Sequence, residues 1–208
     1  MAIIPGTVGA APIQNIGAYG VEIKDSMLYC KAYEIATGNV VKFTNEMCEF
    51  SYRESIFKGA LKDKYIIISV AFKLTNKNHV LHTGYGVIEQ ELEKMQVKNP
   101  TILDVSRAVI AIRESKLPNP KEIGNSGSFF KNPMVEKSIL EHVQQNYPHV
   151  PFYVVNDDLV KIPAGWLIET SGYKGFRRGD AGVHTKQALV IVNYGEDTGK
   201  ELLDLSEE

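Results

Sequence analysis

The chain predicts an α+β fold arranged in two halves. Three observations carry that expectation: β-branched apolar runs that read as strands, separate stretches whose apolar residues recur at helical spacing, and a Pro/Gly-rich segment between them that suits neither. At 208 residues the polypeptide is long enough to bury a real core in one large or two modest domains.

Residues 4–20 are so dense in small side chains that the backbone itself is a candidate working surface. Glycine and alanine leave main-chain N–H groups open to a closely approaching anionic or planar ligand. A glycine-rich turn packed for steric reasons has the same composition. Residues 26–35 then read as a strand, 36–39 as a turn and 40–43 as the returning strand. Asn45 is placed to cap a short helical turn reaching Phe50, and 65–74 is apolar and β-branched enough for a central strand.

A short charged helix is expected over 89–96. A longer one is expected over 101–115, opened by Thr101 and Asp104 and carrying Ile102, Val105, Val109 and Ile112 on one face. Residues 116–128 hold two prolines, two glycines and an Asn-Ser pair, a composition that predicts a loop and a boundary. Beyond it, 134–146 reads as a helix on Val135, Ile139, Leu140 and Val143. Residues 163–170 read as a short helix with proline in its first turn, and 188–193 as a buried strand. The final stretch, 197–208, is helical with Asp197 or Thr198 as cap and Glu201 closing a capping box, and it has little to pack on. No internal repeat or low-complexity tract interrupts this order.

A formal charge of −2 gives no overall bias toward nucleic acid or an anionic membrane. No apolar run is long enough to span a bilayer and no signal peptide opens the chain, so the expected location is cytoplasmic. The two cysteines, Cys30 and Cys48, suit buried free thiols in a reducing compartment. Gly84-Tyr85-Gly86 lacks the third glycine of a dinucleotide fingerprint, and Gly199-Lys200-Glu201 lacks the spacing and hydroxyl of a phosphate loop. His79 and His82 would point to opposite faces of an extended stretch, so no metal site is expected.

Two residues stand out for chemistry. Ser128 follows Gly127 and precedes Phe129 and Phe130, which could exclude water from its hydroxyl. It is a nucleophile, a proton donor or a turn-forming side chain. Arg53 presents a permanently charged fork suited to a carboxylate, and an exposed ion pair with Glu54 is its structural alternative.

Ile4-Pro5-Gly6-Thr7-Val8-Gly9-Ala10-Ala11-Pro12-Ile13-Gln14-Asn15-Ile16-Gly17-Ala18-Tyr19-Gly20 closely resembles the flavin-contacting segment of the UDP-N-acetylenolpyruvylglucosamine reductase (MurB) family. Further stretches resemble the same family in the same order. They are Tyr52-Arg53-Glu54-Ser55-Ile56-Phe57-Lys58, Lys116-Leu117-Pro118-Asn119-Pro120 and Gly127-Ser128-Phe129-Phe130-Lys131-Asn132-Pro133, followed by Ala164-Gly165-Trp166-Leu167-Ile168-Glu169 and His184-Thr185-Lys186-Gln187-Ala188-Leu189-Val190.

The resemblance implies an FAD-dependent enzyme that uses NADPH to reduce UDP-N-acetylglucosamine enolpyruvate to UDP-N-acetylmuramate, a step of bacterial cell-wall peptidoglycan synthesis. It implies cofactor contacts at Pro5, Gly6, Thr7, Val8, Gly9, Pro12, Ile13, Asn15, Ile16, Gly17, Tyr19 and Arg113. By the same resemblance Arg53 and Ser128 are catalytic, Ser128 as proton donor, and Tyr85, Lys116, Asn132, Tyr153, Lys174 and Gln187 bind substrate. Thr83-Gly84-Tyr85-Gly86 resembles the subtype in which a tyrosine closes over the substrate.

In these terms residues 1–100 form part of a flavin-contacting domain and 101–208 a smaller α+β substrate-binding domain. The resemblance also implies an internal fragment, inactive by itself, with an N-terminal flavin domain before it and a segment bearing a catalytic glutamate after it. A non-catalytic nucleotide-sugar binding module and a different flavin oxidoreductase on the same scaffold are the competing readings.

Overall fold

The computed structural model describes residues 2–208. The glycine-rich opening is not a simple turn. It folds as a 3-10 helix, Val8–Gln14, followed by a hairpin of two short strands, β1 (Gly17–Ala18) and β2 (Val21–Glu22). Tyr19 and Gly20 join them with φ of 53° and 78°, the positive pair that a two-residue type I′ turn requires.

A 3-10 turn, Ile23–Asp25, leads into β3 (Met27–Glu34), which pairs antiparallel with β4 (Val40–Thr44) and β5 (Tyr65–Phe72). The hairpin expected around 36–39 is present. The apolar run at 65–74, however, is an edge strand; β3 holds the centre. The reason lies in the side chains facing inward. Cys30 and Ala32 of β3 are completely buried among Ile23, Met27, Phe43, Cys48 and Phe57, whereas β5 leaves Ile66 and Ile68 exposed. Both cysteines are free and buried, as the sequence predicts, and the interaction with Cys30 together with burial pushes the Cys48 thiol up.

Asn45 precedes the 3-10 turn Glu46–Cys48, but its side chain makes no cap. It donates instead to the carbonyls of Lys24 and Met27, at 2.8 and 2.7 Å, tying this turn to the start of β3.

The first unit ends with two helices, α1 (Gly86–Lys94) and α2 (Ile102–Lys116). Thr101 donates to the Asp104 carboxylate through its N–H and its hydroxyl, at 2.9 and 2.6 Å, so the expected start signal operates. Ile88 and Leu92 pack on Ala108, Val109 and Ile112. Ile102, expected on the buried face, is half exposed because it lies in the first turn, ahead of that contact. Compact packing divides the chain after Arg113, inside the last turn of α2, and not near residue 100.

The second unit, Glu114–Glu208, contains two antiparallel sheets. Residues 124–128, expected as loop, form strand β6 (Gly124–Ser128). Its small residues have poor intrinsic strand propensity, and pairing with a buried neighbour overrides that. β7 (Met134–Glu136) then precedes α3 (Lys137–Asn146), so the helix expected from 134 begins one turn late. Met134–Glu136 is captured by β9 (Leu159–Lys161), which also pairs with β8 (Tyr153–Val154). Leu140, Val150, Val160 and Ile162 close that core.

Helix α4 (Ala164–Thr170) follows Pro163. Strands β10 (Arg177–Arg178), β11 (Ala181–Val183) and β12 (Val190–Asn193) complete the other sheet in the order β10-β11-β12-β6. The last helix, α5 (Gly199–Glu207), carries the expected capping box at Thr198 and Glu201. It does not lack a partner: Leu205 is buried with Ala181, Val183, Ala188 and Ile191. Among the described residues no helix is long and apolar enough to cross a membrane, and no group of three His, Cys, Asp or Glu side chains is disposed to hold a metal.

Candidate functional site

The first unit gathers its candidate residues around the β1–β2 hairpin. Ser51 and Glu54 exchange backbone hydrogen bonds of 3.2 Å, closing a four-residue turn whose third residue is Arg53, in the left-handed region at φ 57°. A non-glycine residue there is strained by about 1–2 kcal/mol, a feature that clusters at functional sites. The guanidinium turns toward the hairpin. Its Nη2 donates to the Gly17 carbonyl at 2.6 Å and its Nη1 to Glu22 Oε1 at 3.2 Å. Arg53 therefore pairs with Glu22, while Glu54 pairs with Lys58.

Only glycine fits at position 17. A Cβ there would lie 2.6 Å from the Val21 carbonyl and 3.2 Å from Arg53 Nη1. Asn15 is completely buried with φ 44°, and its amide is engaged on every side. Nδ2 donates to Glu22 Oε2 and to the Ser51 carbonyl, each at 2.9 Å, and Oδ1 accepts from Lys24 N–H at 3.2 Å. Pro12 is also buried, and Ile13 and Ile16 pack onto the β-sheet core. Of these expected cofactor contacts the buried Asn15 and Pro12 have only their backbone to offer a ligand. Pro5, Gly6, Thr7 and Val8 are exposed, and the space around Gly6 is open.

Tyr19 and Tyr85 meet edge to face, with ring centroids 5.8 Å apart. Burial raises the Tyr19 phenol, and the positive charge of Arg113 opposes that shift. The Nε of Arg113 is buried without a hydrogen-bond partner. Tyr19 also lines an apolar cleft of about 190 Å³ with Val21, Val80, Ile88 and Val109.

In the second unit Ser128 ends β6, paired with Val190 and exposed. Gly127 reaches φ 77° just before it, at an irregularity in the β6–β12 register. Phe129 and Phe130 stack edge to face at 5.1 Å but are themselves exposed, so they do not shield the hydroxyl within this unit. Lys116 is the exposed final residue of α2, not a loop residue. Asn132 accepts from the first N–H of α4, that of Ala164, at 2.9 Å. Tyr153 is half exposed on β8 with Lys161 Nζ 5.8 Å from its ring centre, and Lys174 pairs with Glu169 at 2.8 Å. The Gln187 amide lies beside Gly165 of α4.

Glu22 and Lys161 went unmarked in the sequence. Neither carries a local signal; each acquires its place from a strand pairing that brings it beside a marked residue.

The family model of the C-terminal domain of UDP-N-acetylenolpyruvoylglucosamine reductase matches residues 119–208. All 208 residues align at 58% identity with the protein of that name from Flavobacterium johnsoniae. The chain is similar to this reductase family along its whole length, and residues 119–208 match its C-terminal domain. The namesakes from Amoebophilus asiaticus and Pseudomonas fluorescens are 50% and 49% identical over 207 residues. The chain spans 62%, 61% and 60% of these three relatives.

The crystal structure of UDP-N-acetylenolpyruvylglucosamine reductase from Thermus caldophilus matches 99% of this chain and 56% of its own, with TM-score 0.63 and 24% identity. That likeness bears on the fold, which is α+β as the sequence predicts. The family resemblance read from the sequence is thus borne out.

Proposed function

We propose that this chain supplies the catalytic arginine and serine, and much of the flavin-contacting and substrate-binding surface, of a cytoplasmic reductase. That enzyme converts UDP-N-acetylglucosamine enolpyruvate to UDP-N-acetylmuramate for peptidoglycan synthesis. The observation that carries the reading is the 58% identity maintained along all 208 residues with a reductase of that name.

The residues present fit a flavin. An exposed glycine-containing backbone at Pro5–Val8, the open space at Gly6 and the unpartnered buried Nε–H of Arg113 are donors suited to a planar, phosphate-bearing group. FAD, recharged by NADPH, supplies the reducing equivalents for the enolpyruvyl double bond. The protein's own contribution is positioning and charge. Arg53 holds the substrate carboxylate and stabilises the negative charge that grows on it during reduction. Ser128 gives the proton that completes the new C–H bond. A hydroxyl is a weak acid, so this step needs a strongly basic acceptor carbon and exclusion of water in the assembled site. Lys116 and Lys174 neutralise the diphosphate, and Tyr85, Tyr153, Asn132 and Gln187 contact the nucleotide and sugar.

The test uses a polypeptide of the relatives' full length, purified with its flavin. It should oxidise NADPH catalytically, beyond the single reduction of its flavin, only when UDP-N-acetylglucosamine enolpyruvate is present. Ser128→Ala should preserve NADPH-driven flavin bleaching and abolish most substrate-driven recovery of the yellow colour. A flavin-loaded protein indifferent to that substrate refutes the reading.

A further inference from the structure

We infer that Glu22 is a positioning residue for Arg53. The inference rests on the reading of Arg53 as the carboxylate-binding arginine, and the geometry supplies the rest.

The two oxygens of the Glu22 carboxylate are divided between different partners. Oε1 accepts from Arg53 Nη1 at 3.2 Å, while Oε2 accepts from Asn15 Nδ2 at 2.9 Å and lies 3.2 Å from Lys24 Nζ. Asn15 cannot yield, since it is fully buried and bonded to the Ser51 carbonyl at the base of the turn that carries Arg53. Glu22 N–H is itself tied to the Asp25 carboxylate at 2.7 Å. The carboxylate is therefore fixed at both oxygens and at its own backbone. It holds a long, flexible arginine side chain whose Nη2 is already pinned to Gly17.

This clamp leaves the remaining guanidinium N–H groups of Arg53 available to a substrate carboxylate. Two cations, Arg53 and Lys24, share the Glu22 carboxylate, and the Asp25 carboxylate on the Glu22 N–H balances the second charge. The left-handed backbone at Arg53 is held in the same network.

The arrangement makes a sharp chemical demand. Both oxygens of Glu22 face N–H donors, so an amide at this position sets one N–H against another whichever way it is flipped. Glu22→Gln, nearly identical in shape, should loosen Arg53 without leaving a cavity.

In the full-length, flavin-loaded enzyme, Glu22→Gln should slow substrate-driven flavin reoxidation on the order of 10–100-fold, the scale of a small misplacement of a reacting group. NADPH-driven flavin reduction should keep its rate. In an Arg53→Ala background the same substitution should cost nothing further, because its effect passes through Arg53. Rates are taken per flavin-loaded molecule. If Glu22→Gln does not accumulate as holoenzyme, Glu22→Asp, which keeps the charge but withdraws it by one methylene, is measured in the same cycle.

Equal losses with and without Arg53, or no loss with Arg53 present, overturn the positioning role while leaving the function of Arg53 intact. If Arg53→Ala itself leaves reoxidation unchanged, the assignment of Arg53 fails and the role of Glu22 falls with it.

Discussion

Asn15 shows how a single side chain can change its meaning between sequence and structure. The resemblance implies a cofactor contact at this position, and in the fold its amide is buried with hydrogen bonds that join the hairpin, the Lys24 backbone and the Arg53 turn. Asn15→Ala would orphan these partners and place alanine at φ 44°. Together the lost bonds and backbone strain should cost about 2–4 kcal/mol, read from the urea midpoint of the purified protein. His184 makes a different prediction. Burial, aided by the charge of Lys186, holds its imidazole below the ordinary value of 6.5, and its buried Nδ1 has no partner. The folded state resists protonation while the unfolded state does not. Stability is therefore complete above about pH 6.5 and falls as pH drops from there toward the lowered folded value, by at most about 1.4 kcal/mol per pH unit. Melting temperatures between pH 5 and 8 should show a shallower acid slope for His184→Gln than for the parent protein.

At the scale of elements, local chemistry explains where segments begin, and partners explain what they become. The last helix starts at Thr198 because its hydroxyl and N–H both meet the Glu201 carboxylate, at 2.8 and 2.6 Å. Thr198→Ala should lower stability by about 1 kcal/mol, measurable by denaturation, with Leu205 still anchoring the helix. Strand β6 is the opposite case. Gly124–Ser128 has no strand signature of its own and exists because β12, with Val190 and Val192 buried, needs a partner on that side. The irregular register at Gly127 then presents Ser128 at the strand's open end.

At the scale of the molecule, the apolar side chains among the described residues collect in four separate cores, two in each unit. Within the first unit Ile23 belongs to the β-sheet core and Ile88 to the helical pair, with both about 1% exposed. Ile23→Val and Ile88→Val should each cost about 0.5–1.5 kcal/mol. The double variant should lose their sum to within about 0.5 kcal/mol, because no core residue is shared. A larger departure in equilibrium unfolding would mean that the two cores respond as one.

The sequence by itself determined whatever depends on nearby residues. The hairpin around 36–39, the helix opened by Thr101 and Asp104, the capping box at Thr198 and the family-like wording around Arg53 and Ser128 were all legible, because their chemistry is complete within a few positions. Tertiary structure decided what depends on distant ones. It made β5 an edge strand, turned 124–128 into β6, gave α5 a core to cover and moved the division between units to Arg113. It also chose Glu22 over the adjacent Glu54 as the partner of Arg53, across 31 residues of sequence. The physical reason is the same in each case. Propensity and capping act through neighbouring backbone groups, whereas strand order, burial and ion pairing are settled by which surfaces the folded chain brings together.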